Sequence, residues 1–103
     1  MNLVCIPAYN EESHIAKIIV KSLQYVDKVV VCDDGSTDNT AKIAKDAGAI
    51  VISQENQGYG AAISVLFDYA RKNNAEIMVT LDSDGQHNPD QIPLLLDAIT
   101  SHD

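Results

Sequence analysis

Short apolar runs alternate with stretches that repeat at helical spacing. Leu3-Val4-Cys5-Ile6 is a continuous apolar run stopped by Pro7, the pattern of a strand buried on both faces. Ile15, Ile18, Ile19 and Leu23 follow at the spacing of one helix face, with Glu11-Glu12 placed to favour that helix's N-terminus. A second strand runs from Val26 to Cys32, densest at Lys28-Val29-Val30-Val31-Cys32, and leads into Asp33-Asp34-Gly35-Ser36. Thr37 or Asp38 is placed to cap the next helix, whose small face is Ala41, Ala44 and Ala47 and whose stop is Gly48. Ala49-Ile50-Val51-Ile52 is a third strand. A polar loop from Gln54 to Gly60 then opens a helix through Ile63, Leu66, Phe67 and Ala70 that ends near Asn73-Asn74. Ile77 to Leu81 is the fourth strand, and Asn88-Pro89-Asp90-Gln91 looks like a further helix start, although Pro93 falls early in it.

Strand and helix in strict alternation predict an α/β fold: a Rossmann-like parallel sheet with helices on both faces and right-handed crossovers. The expected strand order is 3-2-1-4. Ligands of such sheets bind beyond the carboxyl ends of the strands, where the order reverses. Three polar loops would meet at that rim: Pro7 to Glu11, Asp33 to Asp38, and Asp82 to His87. With 103 residues the chain is expected to be a single domain, residues 1–103.

Composition narrows the chemistry. A formal charge of −8 without any basic run argues against a nucleic-acid surface, although a nucleotide whose charge a metal offsets is still compatible. Cys5 and Cys32 lie inside strands rather than in a spaced framework, which reads as reduced, buried thiols in a cytosolic setting. The first residues lack a charged leader and no apolar run is long, so neither a signal peptide nor a membrane span is expected.

The candidate chemistry is concentrated at the rim. The fourth strand delivers Asp82-Ser83-Asp84-Gly85-Gln86-His87, and an Asp-x-Asp pair at a strand end is a natural seat for Mg²⁺ or Mn²⁺, which take oxygen ligands shared with substrate phosphate. Adjacent Asp33 and Asp34 repel unless one is partnered, and a carboxylate there can accept from a nucleobase N–H or a ribose hydroxyl. Ser36, Thr37 and Asp38 read as helix capping. Tyr9 reads either as a stacking surface or as cover for the core edge, and Gly58 and Gly60 either as a close approach to a ligand or as plain turn glycines. His87 extends the acidic loop, whereas His14 and His102 lie on exposed helix faces. An EF-hand is excluded because His87 and Pro93 stand where it requires glycine and glutamate. A haloacid-dehalogenase-like phosphatase, with Asp82 as nucleophile, would have Thr at Gln86 and a later lysine, and none of the 17 residues after Gln86 is Lys or Arg.

In order and spacing, Pro7-Ala8-Tyr9-Asn10-Glu11, Asp33 to Asp38, Asn56-Gln57-Gly58-Tyr59-Gly60-Ala61-Ala62 and Asp82 to His87 resemble the family 2 glycosyltransferases. Within that family the metal loop is most similar to that of the dolichyl- or polyprenyl-phosphate sugar synthases. The resemblance implies a GT-A fold and a nucleotide-diphosphate sugar, UDP- or GDP-linked, as donor. It implies that Pro7, Tyr9, Glu11 and Asp34 hold nucleobase and ribose, that Ser83 lines the same site, and that Asp82, Asp84 and Gln86 hold Mg²⁺ or Mn²⁺. It implies an inverting transferase using a lipid-phosphate acceptor at the cytoplasmic face of a membrane. Relatives often carry a basic residue and a glycine near Ser64 to Leu66, and this chain has neither. Relatives also continue well past the metal loop, so the catalytic residues are expected in a C-terminal half beyond Asp103, and these 103 residues alone are expected not to transfer sugar. The open edge at strand four suggests a homo-oligomer. The competing function is a non-catalytic nucleotide-binding module of the same fold.

Overall fold

The structure, a computed structural model, describes residues 1–82. The elements are β1 (Asn2–Ala8), α1 (Ile15–Ser22), β2 (Lys28–Asp34), α2 (Thr40–Asp46), β3 (Ile50–Gln54), α3 (Tyr59–Lys72) and β4 (Ile77–Thr80). All pairings are parallel and the order is β3-β2-β1-β4, as the alternation predicts. The chain steps outward from β1 to β3 with α1 and α2 on one face. It then returns beneath the other face along α3 to place β4 beyond β1, the outcome that right-handed crossovers require when the direction of travel reverses. The helix start expected at Asn88, together with Ser83, Asp84, Gln86, His87 and His102, lies outside the described residues.

Each strand side chain goes to the face its parity dictates. Val4, Ile6, Ala8, Val29, Val31, Val79 and Leu81 point to the α1/α2 face, where Ile15, Ile18, Ile19 and Ala44 close the core. Burying each of those three isoleucines stabilises the fold by roughly 1.5–3 kcal/mol. Leu3, Cys5, Val30 and Cys32 point the other way, onto Ala62, Leu66 and Ala70 of α3. Both cysteines are free and buried, as expected. Burial pushes the Cys5 thiol up to about 12. Cys32 is pushed to about 11 by burial and by the Asp34 and Asp33 charges beside it.

The structure corrects three local expectations. β1 runs through Pro7 to Ala8 rather than stopping at Ile6. Alternate residues of a parallel strand bond to opposite neighbours, and the Cys5 carbonyl accepts from Leu81 N, so Pro7 directs its nitrogen to the β4 side. The last residue of β4 paired to β1 is Thr80, opposite Cys5, so the ladder has ended before it needs the N–H that proline lacks. Phe67 is not part of the α3 core face but 57% exposed. The stripe of α3 that meets the sheet is Ala62, Leu66 and Ala70, spaced four residues apart, and this turns Phe67 outward. Finally, α1 begins at Ile15 with no acidic residue in its first turn, so Glu11 and Glu12 are not its N-terminal charges.

Candidate functional site

The carboxyl ends of β1 and β2 are tied together by side chains bonding to the neighbouring backbone. Asn10 takes the left-handed conformation at φ 52, which asparagine tolerates better than most residues. Its N–H donates to Ser36 Oγ at 2.8 Å, and its Oδ1 accepts from Thr37 N at 2.8 Å and from Thr37 Oγ1 at 3.4 Å. Glu11 N donates to the buried Thr40 Oγ1 at 2.9 Å, and Glu12 N to Asp38 Oδ2 at 3.3 Å. Glu12 Oε2 accepts from Asn39 N at 3.0 Å, so this glutamate serves the N-terminus of α2 rather than that of α1. Asp38 Oδ1 accepts Thr40 N at 2.9 Å and also the Thr40 hydroxyl. These bonds, that to the Thr40 hydroxyl foremost, hold the Asp38 carboxyl below its ordinary value. Asp38 therefore caps α2 as expected, whereas Ser36 and Thr37 secure the neighbouring loop. The result is a fixed platform for Tyr9 and Glu11.

Asp34 is built differently. Its Oδ1 accepts from Gln54 Nε2 at 2.9 Å and Gln57 N at 2.8 Å, and its Oδ2 from Gly58 N at 3.0 Å. The bond from Gln54, then that from Gln57 N, lower its pKa against the opposing effect of burial. Asp33 answers the repulsion between adjacent carboxylates locally, its Oδ1 accepting Ser36 N at 3.3 Å. Gly35 has φ 76, and a Cβ there would meet Asn56 N at 2.6 Å. The end of β2 and the turn before α3 thus lie directly against each other, and only glycine permits that approach.

These loops enclose one pocket of about 320 Å³, lined by Pro7, Ala8, Tyr9, Glu11, Asp34, Tyr59, Ala62 and Asp82. Pro7, Tyr9, Glu11, Asp34 and Asp82, singled out from the sequence, are therefore brought together. Ser83, Asp84 and Gln86 lie outside the described residues. Ala8, Tyr59 and Ala62 were not singled out. The signal for Tyr59 was the glycine-rich turn opening a helix at the same rim. Among the described residues no three carboxylate, histidine or cysteine side chains come together to hold a metal. Of the expected ligands only Asp82 is placed, on the pocket wall, where its hard oxygens suit Mg²⁺ or Mn²⁺, while both thiols are sealed inside the sheet.

The family model described as Glycosyl transferase family 2 matches residues 3–103. The chain belongs to that family. Among curated family members, it is 39% identical to the UDP-N-acetylglucosamine–dolichyl-phosphate N-acetylglucosaminyltransferase of Methanococcus voltae, over 91% of this chain and 45% of that protein. It is 34% identical to an undecaprenyl-phosphate 4-deoxy-4-formamido-L-arabinose transferase of Pseudomonas fluorescens, over 91% of this chain and 30% of that protein. The chain thus spans less than half the length of these relatives. Glucosyl-3-phosphoglycerate synthase from Mycobacterium tuberculosis, solved with Mn²⁺, UDP and glucosyl-3-phosphoglycerate, superposes with a TM-score of 0.78 at 30% identity, over 96% of this chain and 39% of that one. The same enzyme has been solved with Mg²⁺ and UDP, with a TM-score of 0.79. The fold is of the GT-A type, and family membership sets aside the phosphatase-like alternative.

Proposed function

We propose that this chain is the donor-binding part of a glycosyltransferase and holds a nucleotide-diphosphate sugar through a divalent cation. The observation that carries the reading is the shared pocket. The ends of β1, β2 and β4 contribute to one cavity, with Asp34 on one side of β1 and Asp82 on the other. An elongated ligand with a planar base at one end and a diphosphate at the other fits that arrangement. Pro7, Tyr9, Glu11 and Asp34 form the base and ribose end, and Ser83 is assigned to the same nucleotide from its place in the sequence. Asp82, Asp84 and Gln86 hold Mg²⁺ or Mn²⁺. When bound, the cation stabilises the departing nucleoside diphosphate as a Lewis acid. The carboxylates at the mouth exclude an unaccompanied diphosphate by repulsion, so donor and cation enter together.

The named relatives that use undecaprenyl or dolichyl phosphate support a polyprenyl-phosphate acceptor and a position at the cytoplasmic face of a membrane. None of the described helices is long and apolar enough to cross a membrane. The 103 residues span 45% and 30% of two of those relatives, which supports reading them as the donor-binding part, with transfer expected to need the remaining length that the relatives carry. Among the described residues β4 is an edge strand, which supports self-association, to be checked by light scattering across a concentration series.

Calorimetry with UDP and GDP, with and without Mn²⁺, tests the reading. Binding that requires the metal and is abolished by Asp82→Ala or Asp84→Ala is the expected result. Binding of equal strength with and without metal, retained by both variants, would favour a non-catalytic nucleotide-binding module.

A further inference from the structure

The pocket has a second tyrosine. Tyr59 is the first residue of α3, lines the cavity and is 63% exposed, while Tyr9 on the same cavity is 47% exposed. Two large, open aromatic side chains beside carboxylates suit a planar, partly polar ring better than they suit an aliphatic group. Tyr59 directly follows Gly58, which has φ 100 and whose N–H, with that of Gln57, ends on the Asp34 carboxylate. Gly35 packed against Asn56 fixes the same turn from its other side. The backbone leading into Tyr59 is therefore held at two points by the end of β2. Asp34 accepts two backbone N–H bonds from the turn that presents this side chain, with a third bond from Gln54 at the end of β3.

From this geometry we infer that Tyr59 is a specificity-determining contact to the nucleobase, and that Asp34 acts as a positioning residue that sets Tyr59 by pinning the Gln57–Gly58 turn. This rests on the donor-site reading above and deepens it. The base is gripped from the turn before α3 as well as from the β1 loop. A large share of Asp34's contribution then passes through protein backbone rather than through direct contact with the ligand. The chemical class recognised at this end is a planar heteroaromatic ring, with the ring itself, rather than the diphosphate, sensing Tyr59.

The test compares UDP, GDP and inorganic pyrophosphate, each with Mn²⁺, on the full chain. Tyr59→Ala, a change at an exposed side chain, is expected to weaken the better nucleotide by roughly tenfold and to leave pyrophosphate unchanged. The chain contains no tryptophan, so Tyr59→Trp provides a single emitter, expected to be quenched by the nucleotide and not by pyrophosphate. Asp34→Asn is expected to weaken nucleotide binding as well, and the double variant Asp34→Asn/Tyr59→Ala to bind no worse than the weaker single variant. Full additivity would mean that Asp34 acts independently of Tyr59 and would overturn the positioning role. If the unmodified chain binds nucleotide and Tyr59→Ala binds it within twofold with no quenching of the tryptophan, the inference fails while the donor-site reading stands. If the unmodified chain binds no nucleotide, both fall together.

Discussion

Two seams hold the pocket together, and they are built on opposite plans. Between residues 10–12 and 36–40, six hydrogen bonds are spread over Asn10, Glu12, Ser36, Asp38 and Thr40, most of them exposed. At the end of β2, three bonds converge on the single carboxylate of Asp34, one from Gln54 at the end of β3 and two from the turn before α3, beside a glycine with no room for a side chain. A distributed seam loses one bond at a time, and water replaces much of what is lost. A convergent seam fails at one point. The difference shows where this family member tolerates change beneath its pocket and where it does not.

Gly35→Ala probes the convergent seam most severely. It imposes a Cβ at φ 76 and within 2.6 Å of Asn56 N, and should destabilise the chain by about 2–4 kcal/mol, seen as a lower urea midpoint. Gly58→Ala is the matched control: its φ is 100 but open space awaits the methyl group, so its cost should be limited to backbone strain of about 1–2 kcal/mol. Asp34→Asn should have a pH signature. The folded-state pKa of Asp34 lies below the ordinary 3.8, so the stability its charge contributes is fully present above that value and is lost as pH falls through the depressed one. The stability gap between native chain and variant should therefore be constant at neutral pH and close below about pH 4 in acid titrations followed by circular dichroism. Thr40→Val tests the distributed seam at its only fully buried member. It keeps the volume, removes the acceptor of Glu11 N, and should cost about 1 kcal/mol in denaturant melts. Arg71→Ala breaks the exposed pair with Asp68, outside both seams, and should shift stability by less than about 0.5 kcal/mol. If Thr40→Val proved as damaging as Gly35→Ala, the contrast between the seams would be lost.

Much of this architecture was legible because strands buried on both faces must be written as apolar runs. Val29 to Cys32 and Leu3 to Ile6 have few alternatives, and the polar loops after them then fall at one rim. The misreadings share a cause, which is that the deciding partner is distant in sequence. Glu12 looks like the opening charge of its own helix, yet its carboxylate meets Asn39, 27 residues on. Asp34 lines the pocket as its position suggests, but the bonds that hold its carboxylate come from residues 20 to 24 positions later and could not be read locally. Phe67 matches a helical face by spacing, but the sheet packs against the Ala62, Leu66 and Ala70 stripe, one position aside. Tyr59 stood in view within the glycine-rich turn, but its place on the pocket follows from that turn being pinned to the end of β2.

β4 is joined to its neighbour by four residue pairs, whereas β1 and β2 share six. Its amide hydrogens should accordingly trade with deuterium soonest among the strands, through openings short of global unfolding. A molecule gripped at both Asp34 and Asp82 bridges the central strand like a staple, and so its arrival should slow that isotopic trade at Met78 and Val79, residues it never touches.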